Sequence, residues 1–155
     1  MDLPDKIKEL KKSFGKRSLK QGDVVRIAGN YPFESNKLHV FIVLNKKPGE
    51  DVVLVAVNGT TQIEKRYAYY HRLGIPDDDM PLVSIERGKY SFFSKDTVVD
   101  CNTVSEINLD TIDFKCIIFE NKHIDQGDLS NIIAKVLNSD EISLYHKRLI
   151  ELNCK

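Results

Sequence analysis

Two apolar runs joined by a short proline–glycine segment constrain the fold of this chain most strongly. The first covers residues 38–45 and the second covers residues 51–58, and both are rich in β-branched side chains. The five residues between them contain Pro48 and Gly49, a composition typical of a turn, so the two runs predict a β-hairpin. Because both runs are apolar at odd and even positions, both faces of the hairpin should be covered by other parts of the chain.

Shorter runs on either side of the hairpin predict further strands. No alternation of strands and helices of the kind that builds a parallel sheet is present, and the polar segment from Gly59 to Met80 is predicted as a loop. We therefore expect a mainly β protein of the α+β class with five or six strands. The additional predicted strands are Asp23–Ala28, Leu82–Glu86, Thr97–Cys101 and Phe114–Glu120.

Amphipathic patterns predict helices at both ends of the chain. Near the start, apolar residues recur at spacings of four, three and four, and Gly15 is a plausible helix stop. Near the end, apolar residues follow the helical rule from Leu129 to Leu137, with Asp125 as a candidate cap. We expect one domain over residues 1–155, with a helical extension (1–20), a β core (21–120) and C-terminal helices (125–153). The N-terminal stripe consists of Leu3, Ile7, Leu10 and Phe14.

Composition excludes several classes of protein. The chain has 155 residues, 41% of them hydrophobic, and a formal net charge of zero. No apolar run is long enough to span a bilayer, and no secretory signal is visible. Three widely spaced cysteines, Cys101, Cys116 and Cys154, favour neither a disulfide framework nor a zinc site and suit a reducing cytoplasm. Phosphate-loop, nucleophile-elbow and dinucleotide motifs are missing, and Asp77–Asp79 is predicted as a solvated loop, so we predict no cofactor and no metal.

Positive charge is concentrated near the N-terminus. Seven basic residues precede Gly22, against three acidic ones. Such a cluster either contacts phosphates or forms the solvated face of a helix, and the sequence leaves both interpretations open. The basic residues are Lys6, Lys8, Lys11, Lys12, Lys16, Arg17 and Lys20.

Several segments between Gly22 and Val104, taken in order, resemble the MazF/PemK-like family of ribonuclease toxins. The opening segment 22–25 (GDVV) is similar to the start of that family's first strand, and 39–44 (HVFIVL) stands where the family has its second. Segment 57–62 (VNGTTQ) resembles the threonine motif that ends the third strand. Segments 82–85 (LVSI) and 95–101 (KDTVVDC) are similar to the late strands.

The resemblance implies an SH3-like small barrel, with an N-terminal helix and C-terminal helices added here. It also implies a homodimer that cleaves single-stranded RNA without a metal and is neutralised by an antitoxin protein in a toxin–antitoxin system. In that family a basic side chain entering the second strand and a threonine ending the third perform the chemistry. The threonine corresponds to Thr60 or Thr61, and His39 or Lys37 stands near the position of the basic residue.

Metal-free RNA cleavage needs a base for the 2′-hydroxyl proton, an acid for the leaving 5′-oxygen and donors for the charged phosphorane. Histidine suits acid or base work because it titrates near neutral pH, so His39 is the candidate catalytic acid or base, and the hydroxyl of Thr60 or Thr61 is a candidate donor to the phosphate. The candidate substrate-binding residues are Lys37, His71, Arg72 and Tyr69, the last as a base-stacking ring.

Structural interpretations of the same residues remain open at this point. A histidine at a strand start is commonly a half-exposed surface residue, and two threonines after Asn-Gly are ordinary turn chemistry. The alternative function is a non-catalytic SH3-like barrel that binds protein or nucleic acid, since small barrels host many functions. Hydrolysis of RNA by the purified protein distinguishes the two.

Overall fold

The computed structural model describes residues 2–28 and 38–151 and has the mainly β, α+β architecture that the sequence predicts. The described residues form seven strands, in one antiparallel sheet, and four α-helices. The helices are α1 (Leu3–Ser18), α2 (Ile63–Arg72), α3 (Gln126–Asn138) and α4 (Leu144–Glu151). The strands are β1 (Asp23–Ile27), β2 (His39–Val43), β3 (Leu54–Thr60), β4 (Leu82–Ile85), β5 (Thr97–Asp100), β6 (Ser105–Ile107) and β7 (Ile117–His123).

Strand β3 is the centre of the sheet. The strand order is β4-β5-β3-β2-β1-β7, and the short β6 pairs with the first half of β3 while β5 pairs with its end. One edge of β3 therefore pairs with β2, and the other edge pairs first with β6 and then with β5. Within the described residues the outer strands β4 and β7 are not joined to each other, so closure into a barrel is not confirmed.

The predicted hairpin is confirmed as β2 and β3. The two strands are antiparallel, with Phe41 opposite Asn58 and Val43 opposite Ala56. Both faces are buried, as expected: Ile42 lies in a core that includes α3 and α4, and Phe41 lies in a second core beneath the connection from β6 to β7. Because the sheet is covered on both sides, its central strands carry apolar residues at consecutive positions.

Asn45 organises the turn of this hairpin. Its side chain is completely buried, and its Oδ1 accepts a hydrogen bond from the backbone N–H of Val55 at 2.6 Å. Its Nδ2 donates to the carbonyl oxygen of Val53 at 3.0 Å and to Asp51 Oδ2 at 2.9 Å. The buried amide of Asn45 thus forms hydrogen bonds with backbone groups that the turn separates from the strand pairing.

Two local predictions were wrong. Gly15 does not end the first helix, which continues to Ser18, because Gly15 lies inside the helix against the ring of Phe119. The segment predicted as a polar loop between Gly59 and Met80 contains α2. Its sequence is mostly polar because Tyr70 is the buried residue of the helix, packing on Met80 in a small separate cluster. One buried residue does not produce an apolar periodicity, so the sequence pattern does not indicate this helix.

Other predicted elements are confirmed within a few residues. Strands β1, β4 and β5 lie where the sequence placed them, and β7 begins at Ile117 after a short 3₁₀ turn. The side chain of Asp125 caps α3 by accepting from the backbone N–H of Asp128 at 2.7 Å. Strand β6 was not predicted, since its three residues are too few for an alternating pattern.

Cys101 is expected to be inert in the folded protein. It is completely buried, and burial, followed by the nearby Asp100 carboxylate, raises the pKa of its thiol to about 12. At about pH 8 only about one molecule in ten thousand then carries the reactive thiolate. In a variant that retains Cys101 alone (Cys116→Ser, Cys154→Ser), labelling by iodoacetamide should be slow until denaturant is added. Rapid labelling without denaturant would contradict this burial.

Candidate functional site

A pocket of about 400 Å³ lies where β2 begins, β3 ends and the chain approaches β5. The antiparallel pairing of β2 with β3 brings the first end of one strand beside the last end of the other. The pairing of Thr60 with Val98 adds the entry to β5 to the same edge. Sequence-distant segments thus meet in one concavity. The residues that line it include His39, Asn58, Thr60, Thr61, Phe93 and Lys95.

His39 and Thr60 lie on the two strands of the hairpin. The ladder that pairs Ile42 with Val57 and Phe41 with Asn58 runs toward His39 on β2 and toward Thr60 on β3. Both side chains are half-buried and both line the pocket. The two residues that the sequence predicts for the site therefore lie at the same end of the hairpin and line the same pocket.

Thr60 is oriented by the start of α2. Its Oγ1 accepts a hydrogen bond from the backbone N–H of Gln62 at 3.1 Å, at the N-terminal boundary of the helix. This contact uses an acceptor lone pair, and the hydroxyl proton is still able to donate to a ligand oxygen. Thr61 also lines the pocket and is exposed. Of the two threonines, Thr60 is the one with a defined hydroxyl position.

Lys95 is a pocket residue that was not among the sequence-predicted site residues. It is exposed, and among the described residues no carboxylate forms an ion pair with it. Its side chain therefore supplies an uncompensated positive charge beside His39 and Thr60. Its sequence signal is its place in the segment 95–101, which resembles a late strand of the toxin family.

Gly59 allows the strands around the pocket to approach closely. A Cβ at this position would lie 2.5 Å from Thr97 Cγ2 and 2.9 Å from Phe93 Cε1. Any side chain there would push β3 away from the entry to β5 and from the aromatic wall. The glycine before Thr60 thus sets the width of the pocket.

Stacked aromatic rings connect the pocket wall to α3. Phe93 packs edge-on against Phe92 with ring centroids 5.0 Å apart, and Phe92 is stacked on Tyr90 at 5.0 Å. The Tyr90 hydroxyl donates to Asp128 Oδ2 at 2.6 Å and accepts from the backbone N–H of Asp125 at 2.9 Å. Burial and then the bond to Asp128 raise the pKa of Tyr90 to about 12. The wall is therefore tied to the N-terminus of a core helix.

The structure does not bring every sequence-predicted residue to the pocket. His71, Arg72 and Tyr69 lie on the last turns of α2 and do not line it. His71 is about 12 Å along the helix axis from the first residue of α2 at 1.5 Å per residue. Its Nε2 instead contacts Asp77 Oδ1 at 2.6 Å. Lys37 lies outside the described residues.

The buried side of α2 explains this arrangement. The Tyr70 hydroxyl donates to Asp100 Oδ1 at 2.6 Å, and Arg66 Nη1 lies 3.5 Å from Asp100 Oδ2. Burial and the Asp100 carboxylate raise the pKa of Tyr70, which keeps its hydroxyl a donor. These contacts fix α2 on β5, and Tyr69, His71 and Arg72 of this helix do not line the pocket.

Within residues 2–28 and 38–151, no group of three or more histidine, cysteine, aspartate or glutamate side chains is arranged to hold a metal ion. Asp77–Asp79 forms a short 3₁₀ turn. In the same part of the chain, no helix has both the length and the apolar character needed to cross a membrane.

No protein-family model matches this chain, and no curated protein matches its sequence significantly. The resemblance to MazF/PemK-like toxins therefore stays a prediction from the segments quoted above. The chemistry of the pocket is the basis on which a function is proposed.

Proposed function

We propose that this protein is a metal-independent endoribonuclease of the MazF/PemK-like kind, which cleaves single-stranded RNA in the pocket between β2, β3 and β5. The observation that carries the proposal is the presence of His39, Thr60 and Lys95 in one concavity of about 400 Å³. The proposal includes a cytoplasmic homodimer and an antitoxin protein as its partner.

The reaction needs the RNA, water and these side chains. His39 accepts the proton of a ribose 2′-hydroxyl, and the 2′-oxygen attacks the adjacent phosphorus. Thr60 donates a hydrogen bond to a non-bridging oxygen, and the ammonium of Lys95 stabilises the developing negative charge. The bond from phosphorus to the 5′-oxygen breaks, and that oxygen takes a proton from water, because exposed Lys95 and Thr61 leave the pocket open to solvent. The products are a 2′,3′-cyclic phosphate and a 5′-hydroxyl.

Phe93 gives the pocket an apolar wall in addition to the positive charge of Lys95. A nucleotide offers the same combination, since its base has an apolar face and its phosphate is charged. The lack of an ion-pair partner for Lys95 among the described residues also favours an anionic ligand. The pocket therefore suits an RNA phosphodiester better than a neutral small molecule.

Incubation of the purified full-length chain with a mixed-sequence single-stranded RNA in EDTA tests the proposal. We expect fragments that end in a 2′,3′-cyclic phosphate, which acid converts to 2′- and 3′-phosphates that a phosphatase then removes. If the protein binds the RNA without cleaving it, the result supports the alternative function, a non-catalytic binding module, and contradicts the enzyme. RNA that is neither bound nor cleaved would overturn both.

Lys95→Ala should lower kcat/KM, because Lys95 both contacts the phosphate and stabilises the negative charge that develops on it. Loss of one charge-assisted phosphate contact costs about 1.5–3 kcal/mol, which corresponds to a decrease of kcat/KM by about tenfold to a hundredfold. Lys46→Ala is the matched control, because Lys46 is exposed at the far end of the hairpin and does not line the pocket. Equal rates for the two variants and the wild type would remove Lys95 from the site.

A further inference from the structure

The apolar stripe of α1 faces solvent. Lys12 and Gly15 are the buried residues of the helix, and neither belongs to the stripe. Gly15 makes the closest approach, since a Cβ there would lie 2.6 Å from Phe119 Cε2. The exposed fractions of the stripe residues are 70% for Leu3, 43% for Ile7, 66% for Leu10 and 70% for Phe14. The helix therefore rests on the protein through its small and long polar residues and presents its large apolar ones outward.

This stripe borders an apolar groove. A concavity of about 770 Å³ lies between α1 and the edge strand β7, with Leu10 and Phe14 on one wall and Ile118 and Phe119 on the other. Ile118 is itself 46% exposed. Stripe and groove together form one continuous apolar surface, which we call the α1 seam: Leu3, Ile7, Leu10, Phe14, Ile118 and Phe119. Exposed apolar surface of this kind marks an interaction site.

The spacing of the seam matches helical packing. Intervals of four, three and four place the α1 residues at successive d, a, d and a positions of a heptad repeat. In that register Lys6 occupies a g position and Lys11 an e position, the positions that select a partner helix by charge. Helix α1 as a whole has six basic residues and two acidic ones.

Charge determines which occupant fits. Two copies of this chain paired in parallel through the seam would place Lys6 opposite Lys11 and bring two positively charged helices together. A helix with glutamate or aspartate beside its own apolar stripe would instead meet Lys6 and Lys11 with opposite charge. A lipid surface would contact the outer stripe, whereas a helix offers side chains that can also enter the groove between α1 and β7.

We propose that the α1 seam is the docking site for an acidic amphipathic helix of a partner protein. The partner's apolar residues pack on Leu3, Ile7, Leu10 and Phe14 and enter the groove beside Ile118, while its acidic residues pair with Lys6 and Lys11. The seam shares no residue with the RNA-cleavage pocket, so this inference stands independently of the proposed function.

A three-heptad synthetic peptide tests the proposal, with isoleucine at a, leucine at d and glutamate at e and g. Its binding to the full-length chain is measured by fluorescence anisotropy, beside an otherwise identical peptide with lysine at e and g. We expect the glutamate peptide to bind and the lysine peptide to bind at least about tenfold more weakly. In the double variant Lys6→Glu, Lys11→Glu the preference should reverse.

Leu10→Glu should weaken binding of the glutamate peptide at least about tenfold, because it places a charge in the apolar contact. Val52→Glu is the matched control: Val52 is 68% exposed in the β2–β3 turn, away from the seam. Both variants change an exposed residue, so both should keep the thermal stability of the wild type.

Three results would overturn the proposal. One is equal affinity for the two peptides or no binding of either. Another is that the protein binds phosphatidylserine vesicles, that Leu10→Glu abolishes this binding, and that the glutamate peptide does not bind. The third is a dimer, detected by light scattering, that Leu10→Glu converts to a monomer, since a second copy would then cover the seam.

Discussion

His39→Ala should reduce RNA cleavage by about a hundredfold to ten-thousandfold, the usual contribution of a general acid or base. The imidazole is the group in the proposed reaction that takes the 2′-hydroxyl proton, and Thr60 and Lys95 can bind the phosphate without it. We therefore expect a fall in kcat with little change in KM. Single-turnover cleavage of a fluorescently labelled RNA in EDTA measures the effect.

His71→Ala is the matched control for His39→Ala. His71 lies at the end of α2, outside the pocket, with Asp77 as its contact. Its replacement should leave the cleavage rate within about twofold of the wild type. A similar loss of activity in both variants, or an active His39→Ala protein with native circular dichroism, would exclude His39 as the base.

Asn45→Ala should lower the free energy of unfolding by about 3 kcal/mol. Its side chain is completely buried and makes three hydrogen bonds, two of them to the backbone of Val53 and Val55. Without the amide, those backbone groups lose their partners in a site closed to water, at about 1–3 kcal/mol for each unsatisfied group. Urea denaturation followed by circular dichroism measures the change.

Asn131→Ala provides the comparison, because Asn131 is exposed on α3. Alanine favours a helix more than asparagine does, so stability should be unchanged or higher by about 0.5 kcal/mol. If Asn45→Ala were no more destabilising than Asn131→Ala, the buried amide would not be organising the hairpin turn. Since β2 carries His39 and β3 carries Thr60, loss of this turn should also reduce cleavage.

The hairpin and its burial were predictable from residues 38–58 because both faces of these strands are apolar and local turn chemistry joins them. The helix α2 was not predictable in this way. Its position depends on the contact of Tyr70 with Asp100, thirty residues later in the chain, and no local pattern encodes such a contact. Helix α1 was predicted, but its orientation was not, since Gly15 and Lys12 face the protein and the apolar stripe does not.

Part of the candidate site was predictable from the antiparallel pairing of the two hairpin strands. An antiparallel pair must place the start of β2 beside the end of β3, which brings His39 and Thr60 to one pocket. Lys95 enters through the pairing of β3 with β5, a long-range choice that sequence spacing does not determine. His71 and Arg72 were assigned to the site on the assumption of a loop, and the helix places them elsewhere.

The ring stack from Phe93 to Tyr90 links local opening of α3 to the shape of the pocket. When the first turn of α3 frays, Tyr90 loses both of its hydrogen-bond partners, Asp125 and Asp128. Phe92 then loses the ring stacked on it, and Phe92 in turn packs against Phe93 beside Gly59. We therefore expect a ligand that orders this wall to slow amide hydrogen exchange at the start of α3 as well.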